Sequence, residues 1–202
     1  MNLVIIDYGS GNITSVVNTL QRIGVNPVLS AQPDTILSAD RVIFPGVGQA
    51  TTAMAKLKAT QLDELIPQLR QPVLGVCLGM QLMCAYTEEG AIDGLNIFPV
   101  QVKKFIPQQA EDRVPHMGWN KLDQIKSKII PARSPFPTYT YFVHSFYAEQ
   151  SEWSSASTNF ILPFSAALER ENFYGVQFHP EKSGKFGQEI LKNFIDLSNE
   201  KI

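Results

Sequence analysis

The chain has 202 residues, 44% of them apolar, and 17 Lys and Arg against 19 Asp and Glu leave a formal charge of −2. That balance gives no electrostatic reason to expect a nucleic-acid partner, and the length suits one compact domain over residues 1–202 with no linker dividing it. No apolar run reaches the ~20 residues needed to cross a bilayer and the N-terminus lacks a signal-peptide pattern, so a cytoplasmic location is expected, without a membrane partner.

In chain order, "LVIIDYG" is a short Val- and Ile-rich run and reads as a buried strand. "NITSVVNTLQRIG" reads as a helix. Asn12 is placed as its N-cap, Ile13, Val16, Val17, Leu20 and Ile23 recur at helical spacing, and Gly24 stands where a left-handed C-cap belongs. "NPVLS" gives a second strand and "RVIFPGVG" a third that runs into a glycine-containing loop. Two weaker helices, "ATTAMAKLK" and "LDELIPQLR", precede the strand "PVLGV", after which "LGMQLMCAYT" looks helical. This β-α-β alternation predicts a mainly parallel sheet covered by helices on both faces.

After about residue 90 the rhythm changes. "GLNIFPVQVKKF", "YTYFVHSFYA", "FSAALE" and "FYGVQF" are strand-like with no helix between them, and Arg170-Glu171-Asn172 reads as a hairpin turn. An antiparallel extension is therefore expected in the C-terminal half. The amphipathic helix "GKFGQEILKNFIDLS" follows, its apolar stripe made by Phe186, Ile190, Leu191, Phe194 and Ile195.

In open α/β sheets ligands sit beyond the C-terminal ends of the parallel strands, which directs attention to the loops after "LVII", "RVIF" and "PVLGV". The third carries Gly75-Val76-Cys77-Leu78-Gly79, a G-x-C-x-G pattern that matches a nucleophile elbow. At the start of a helix, unpaired N–H groups favour a thiolate and can stabilise an oxyanion. Taken alone, the pentapeptide fits a buried structural cysteine equally well. Cys84, on the same predicted helix without flanking glycines, reads as core. Two cysteines seven residues apart are poorly placed for a disulfide, and three scattered histidines with no CxxC make no zinc spacing, so no metal is expected.

A thiolate attacking a carbonyl needs a proton donor for the leaving group. In "GVQFHPE", His179 follows an apolar strand on a Pro-containing turn, with Glu181 two residues on to orient the imidazole. A surface histidine beside a solvated glutamate is the competing account of "HPE" alone. Pro45-Gly46-Val47-Gly48 ends an earlier strand at the same sheet edge and suits a backbone oxyanion donor at Val47 beside the N–H of Leu78, although a plain βα turn explains it too. His116, before "MGWN", reads as a structural or docking residue, and "DYGSGN" lacks the Lys of a P-loop and the third glycine of a dinucleotide turn.

With these residues in this order, the chain resembles the class I (triad) glutamine amidotransferases over nearly its whole length: GVCLGMQ is the elbow and FHPE the base segment. Within them it looks most like the branch of glutaminase subunits of imidazole glycerol phosphate synthase, through "DYGSGN", "PGVG", "HMGWN", "YFVHSFY" and "FHPEKSG". The resemblance implies a flavodoxin-like fold and hydrolysis of glutamine to glutamate and ammonia by Cys77, His179 and Glu181, without a cofactor. It also implies delivery of the ammonia to a (β/α)8 synthase partner in histidine biosynthesis, which makes imidazole glycerol phosphate and an aminoimidazole carboxamide ribotide.

On the same grounds, Gly46, Gln81 and Glu89 and the backbone of His144, Ser145 and Phe146 bind glutamine, while Asn12, Trp119 and Lys182 lie near the partner. Glu89 can hold an α-ammonium, although Glu88 and Glu89 also fit a helix end at Gly90. Valine at position 47 in place of a second glycine implies weak activity of the free subunit, if its N–H turns away at rest. A glutaminase of anthranilate or pyridoxal phosphate synthesis is the alternative within the family; a cysteine hydrolase of the wider superfamily, or a non-catalytic module, is the alternative outside it.

Overall fold

The structure is a computed structural model that describes residues 1–9 and 13–198; Asn12, the predicted N-cap and partner contact, lies outside them. Five strands form the parallel part of the main sheet: β1 (Leu3–Ile6), β2 (Val28–Ser30), β3 (Arg41–Gly46), β4 (Val73–Cys77) and β13 (Phe173–Val176), in the order β2-β1-β3-β4-β13. The sheet continues through β12 (Pro163–Arg170), β10 (Phe146–Ala148), β7 (Phe98–Lys104), β5 (Cys84–Thr87) and β6 (Ile92–Asp93), with β11 (Ser154–Asn159) paired to β12. From β13 onward these pairings are antiparallel, apart from β5 with β7. A separate ribbon of β8 (His116–Lys121) and β9 (Tyr139–His144) pairs His116 with His144.

Alternation along the central strands sends successive side chains to opposite faces. Val4, Ile6, Val42 and Phe44 enter one core with α2 (Pro33–Leu37), α3 (Ala50–Ala59), α4 (Leu62–Leu65) and α5 (Leu78–Met83). Leu3, Ile5 and Ile43 enter the other with α1 (Ile13–Arg22) and α6 (Gly184–Ile195), where Phe186, Ile190, Leu191 and Phe194 are buried as the stripe predicts. The two-faced α/β sheet and its antiparallel extension agree with expectation. Gly24 has φ +85 after α1, and Arg170 pairs with Phe173 across the hairpin. Among the described residues no helix is long and apolar enough to cross a membrane.

Three local readings need correction. The helix after Cys77 ends at Met83, and Cys84–Thr87 is β5, paired with β7 at Cys84↔Phe98. Cys84 is a fully buried free thiol, as a core residue should be, but it sits on a strand. Edge pairing with β7 outweighs the helical spacing of "LGMQLMCAYT". "YTYFVHSFYA" is not one strand: it leaves the ribbon at His144 and joins the main sheet at Phe146, with Ser145 between. Finally, Ser154–Asn159 is a strand that the polar run "SSASTN" concealed.

Candidate active site

The functional residues converge because β3, β4 and β13 are neighbours. Gly46 lies opposite Cys77 and Gly175 opposite Gly75, so the PGVG loop, the elbow and the FHPE segment leave the sheet at one edge. Cys77 has φ +54 and ψ −111, a backbone that costs a non-glycine residue ~1–3 kcal/mol and that is the signature of an elbow. The flanking glycines answer to packing. A Cβ at Gly79 would lie 2.0 Å from the Phe44 carbonyl oxygen, and one at Gly75 2.5 Å from Met83 Sδ, so α5 sits on the sheet closer than any side chain permits.

His179 is buried, and its Nδ1 lies 2.8 Å from Glu181 Oε1, which leaves Nε2 for Cys77. The segment is pinned: His179 N–H donates to the Tyr141 carbonyl at 2.9 Å, Ser183 Oγ to the His179 carbonyl at 2.6 Å, and Thr19 Oγ1 to the Glu181 carbonyl at 3.3 Å. Burial disfavours the imidazolium, but hydrogen bonds and charge from Cys77 and Glu181 outweigh it and raise the His179 pKa to about 10. A thiol paired in this way with a proton-holding imidazole has the arrangement that nucleophilic catalysis requires.

A cavity of about 400 Å³, of the size that holds a small ligand, opens onto Cys77 and His179. Of the predicted residues, Val47, Leu78, Gln81, Glu89, His144, Ser145 and Phe146 line it with them. Gly46 does not. It is buried against the start of α5, where an added Cβ would lie 2.5 Å from Gly79 N, and the next two residues, Val47 and Gly48, form the wall. Glu89 closes no helix: it follows β5, and its carboxylate accepts the Ala50 N–H at 3.2 Å at the start of α3. Burial raises its pKa, only partly offset by that N–H, so a cation beside it would be a favourable partner. Tyr8, from the "DYG" segment, donates its hydroxyl to the Pro45 carbonyl at 3.0 Å and so braces the PGVG loop from β1.

Opposite the elbow, the Ser145 break is held by imidazoles. His144 Nδ1 donates to the Phe146 carbonyl at 2.7 Å; its Nε2 faces His116 Nδ1 at 3.1 Å, and His116 Nε2 faces Asn120 Nδ2 at 3.2 Å. His116 is stacked between Phe142 and Phe160, with ring centroids 4.8 and 4.3 Å away. Burial pushes the pKa of His116 down to about 4 and that of His144 to about 3, so both are neutral and structural. Trp119 is 56% exposed on the ribbon; it and Lys182 both approach the Tyr141 ring, at 6.0 Å between centroids and 6.0 Å from Nζ. Among the described residues no group of His, Cys, Asp or Glu could hold a metal ion.

One site residue escaped the sequence reading. Gln177 is fully buried, and its Nε2 lies 3.8 Å from Cys77 Sγ while its Oε1 accepts from Gln81 Nε2 at 2.8 Å. The signal was present in "VQFHPE": in an extended chain, residues 177 and 179 share a face.

Residues 4–197 match the family model of the class I glutamine amidotransferases. The chain is 55% identical over 197 residues to the imidazole glycerol phosphate synthase subunit HisH of Bacteroides thetaiotaomicron, covering 98% of this chain and 100% of that one. It is 43% identical over 198 residues to the protein of the same name from Yersinia pseudotuberculosis, covering 98% and 100%. Among solved structures, a putative GMP synthase subunit from Thermoplasma acidophilum superposes with a TM-score of 0.71 at 19% identity, over 96% of this chain and 92% of that one, a likeness of fold. The chain belongs to the class I glutamine amidotransferase family.

Proposed function

We propose that the chain is the glutaminase subunit of an imidazole glycerol phosphate synthase, a single amidotransferase domain that acts in the cytoplasm on free glutamine and passes ammonia to a (β/α)8 synthase subunit. In this reading Cys77 Sγ attacks the side-chain amide carbon of glutamine. The oxyanion is met by the backbone N–H groups of Leu78 and Val47, and each such donor is worth ~10²- to 10³-fold in rate. His179 gives its proton to the departing ammonia and then takes one from the water that hydrolyses the thioester, with Glu181 stabilising the imidazolium. Glu89 receives the α-ammonium; Gln81 and the backbone from His144 to Phe146 hold the rest of the substrate. Trp119, Lys182 and Asn12 belong to the face that meets the partner, which converts the ammonia and a phosphorylated ribulosyl intermediate to imidazole glycerol phosphate and aminoimidazole carboxamide ribotide.

The observation that carries this reading is the strained Cys77 and His179, the latter backed by Glu181, facing one cavity at the C-terminal edge of a parallel sheet. The test is glutamate release from glutamine with and without the (β/α)8 subunit, for the wild type and Cys77→Ala. The complex is expected to turn over, faster than the free subunit, and the variant to be silent. No glutamate from the wild-type complex would sink the reading, and unchanged activity in Cys77→Ala would reassign the nucleophile.

A further inference from the structure

We propose that Gln177 holds the nucleophile, donating an amide N–H to Cys77 Sγ while fixing which end of Gln81 faces the substrate. The inference rests on Cys77 being the reacting thiol. It follows from the direction of a hydrogen-bond chain that has one fixed end. The Phe146 carbonyl can only accept, so the Gln81 atom 2.9 Å from it is Nε2. The same Nε2 then donates its second proton across 2.8 Å, which makes the receiving atom of Gln177 its Oε1. The remaining end of Gln177, the NH₂, is therefore the one directed at the sulfur, 3.8 Å away. Neither amide can flip without setting two donors or two acceptors against each other in a buried site, where an unmade hydrogen bond is costly.

Two consequences follow for the reaction. An N–H donor favours the charged over the neutral form of the sulfur, so Gln177 adds to what His179 does from another direction. Gln81, with both amide protons committed, offers the cavity an acceptor, its Oε1, and so suits an N–H of the substrate rather than a carboxylate. Gln177 is itself immobile: its backbone N–H donates to the Ala166 carbonyl at 2.9 Å, and the adjoining Phe178 is buried against Phe142 with ring centroids 5.8 Å apart.

The test is the pH profile of iodoacetamide alkylation of the full-length chain, read by mass spectrometry for wild type, Gln177→Leu and Gln177→Glu. Cys84 does not interfere, because burial pushes its thiol far up and out of reach; Cys77→Ala is the blank. Losing the donor should raise the midpoint in Gln177→Leu by about one pH unit, a tenfold loss of reactive thiolate below it. Gln177→Glu keeps an acceptor for Gln81 but turns an oxygen toward the sulfur, so its midpoint should rise further. A merely structural glutamine would lower the melting temperature and leave the Gln177→Leu midpoint where it is, which overturns the proposal. A measurement on the unaltered protein decides the matter if neither variant folds. The Gln177 side-chain ¹⁵N–¹H signals should follow the alkylation midpoint in a pH titration and stop doing so in Cys77→Ala; signals indifferent to the thiol refute the contact. Because alkylation needs no glutamine, a wild-type complex that alkylates normally but releases no glutamate defeats the glutaminase reading and leaves this one standing.

Discussion

A glycine at position 77 should give a more stable protein than an alanine there, the reverse of the usual order inside a fold. Cys77 has φ +54 and ψ −111. Any side chain with a Cβ holds such a conformation at a cost of ~1–3 kcal/mol, whereas glycine adopts positive φ freely. Two effects oppose the gain: glycine's freer unfolded chain costs ~0.4–1 kcal/mol relative to alanine, and a buried methyl is lost, worth ~0.8 kcal/mol. Cys77 is only 8% exposed, so the methyl counts in full. Both substitutions delete the same sulfur and the same contact to Gln177, so these losses cancel in the comparison. On central values Cys77→Gly should therefore exceed Cys77→Ala by about 0.5 kcal/mol, which is ~1–2 °C in Tm for a chain of this size. Thermal and urea unfolding of the two variants side by side measure it. A glycine variant less stable than the alanine variant by the full ~1.5 kcal/mol of the two opposing effects would show that the elbow stores no strain.

Two predictions concern the histidines. In Cys77→Ala the pKa of His179 should fall from about 10, because the hydrogen bond and charge of Cys77 are lost while burial still opposes the imidazolium; an NMR titration of the imidazole that does not move would separate the two side chains. His116 and His144 act in the opposite sense. Their folded pKa values of about 4 and about 3 lie below the unfolded 6.5, so the stability they contribute as neutral rings is complete above pH 6.5 and is lost as pH falls toward those values. Each withheld proton steepens the loss by up to ~1.4 kcal/mol per pH unit. Urea midpoints should drop between pH 6.5 and 5, above the ordinary carboxylate range, and a flat profile would refute the burial argument.

The sheet and the meeting of Cys77, His179 and Glu181 were legible for definite reasons. Val- and Ile-rich runs separated by helical segments specify parallel strands, and the elbow, H-x-E and glycine loop each sit at a strand end, where topology can only bring them together. Their immediate surroundings were less legible, because what decides them is contact between distant segments. Nothing local in "LGMQLMCAYT" says that Cys84 must pair with Phe98, and nothing in "YFVHSFY" says that the chain changes sheets at Ser145. The Ser-rich β11 has no apolar alternation to reveal it. Gln177 was hidden by its chemistry, since a neutral amide just past a strand draws no attention until a thiol and a second amide are found within reach. Gly46 shows the converse: its motif marks the right loop, but its neighbours Val47 and Gly48 meet the cavity.

The position of β13 has a consequence for how the protein comes into being. Among the described residues this strand is the last in sequence, yet it lies between β4 and β12 in the interior of the sheet. A chain emerging from the ribosome can pair β1 to β4 early, but the slot beside β4 stays empty until residue 173 has been made. Filling it demands contacts between residues about 100 positions apart, such as Gly75 with Gly175, the kind of non-local closure that comes late in folding. The thiol is therefore synthesised long before its imidazole, and the two meet only when the sheet is complete. A nascent, truncated or misfolded chain carries the cysteine without its histidine neighbour, so the meeting of Cys77 and His179 is itself a report that folding has finished.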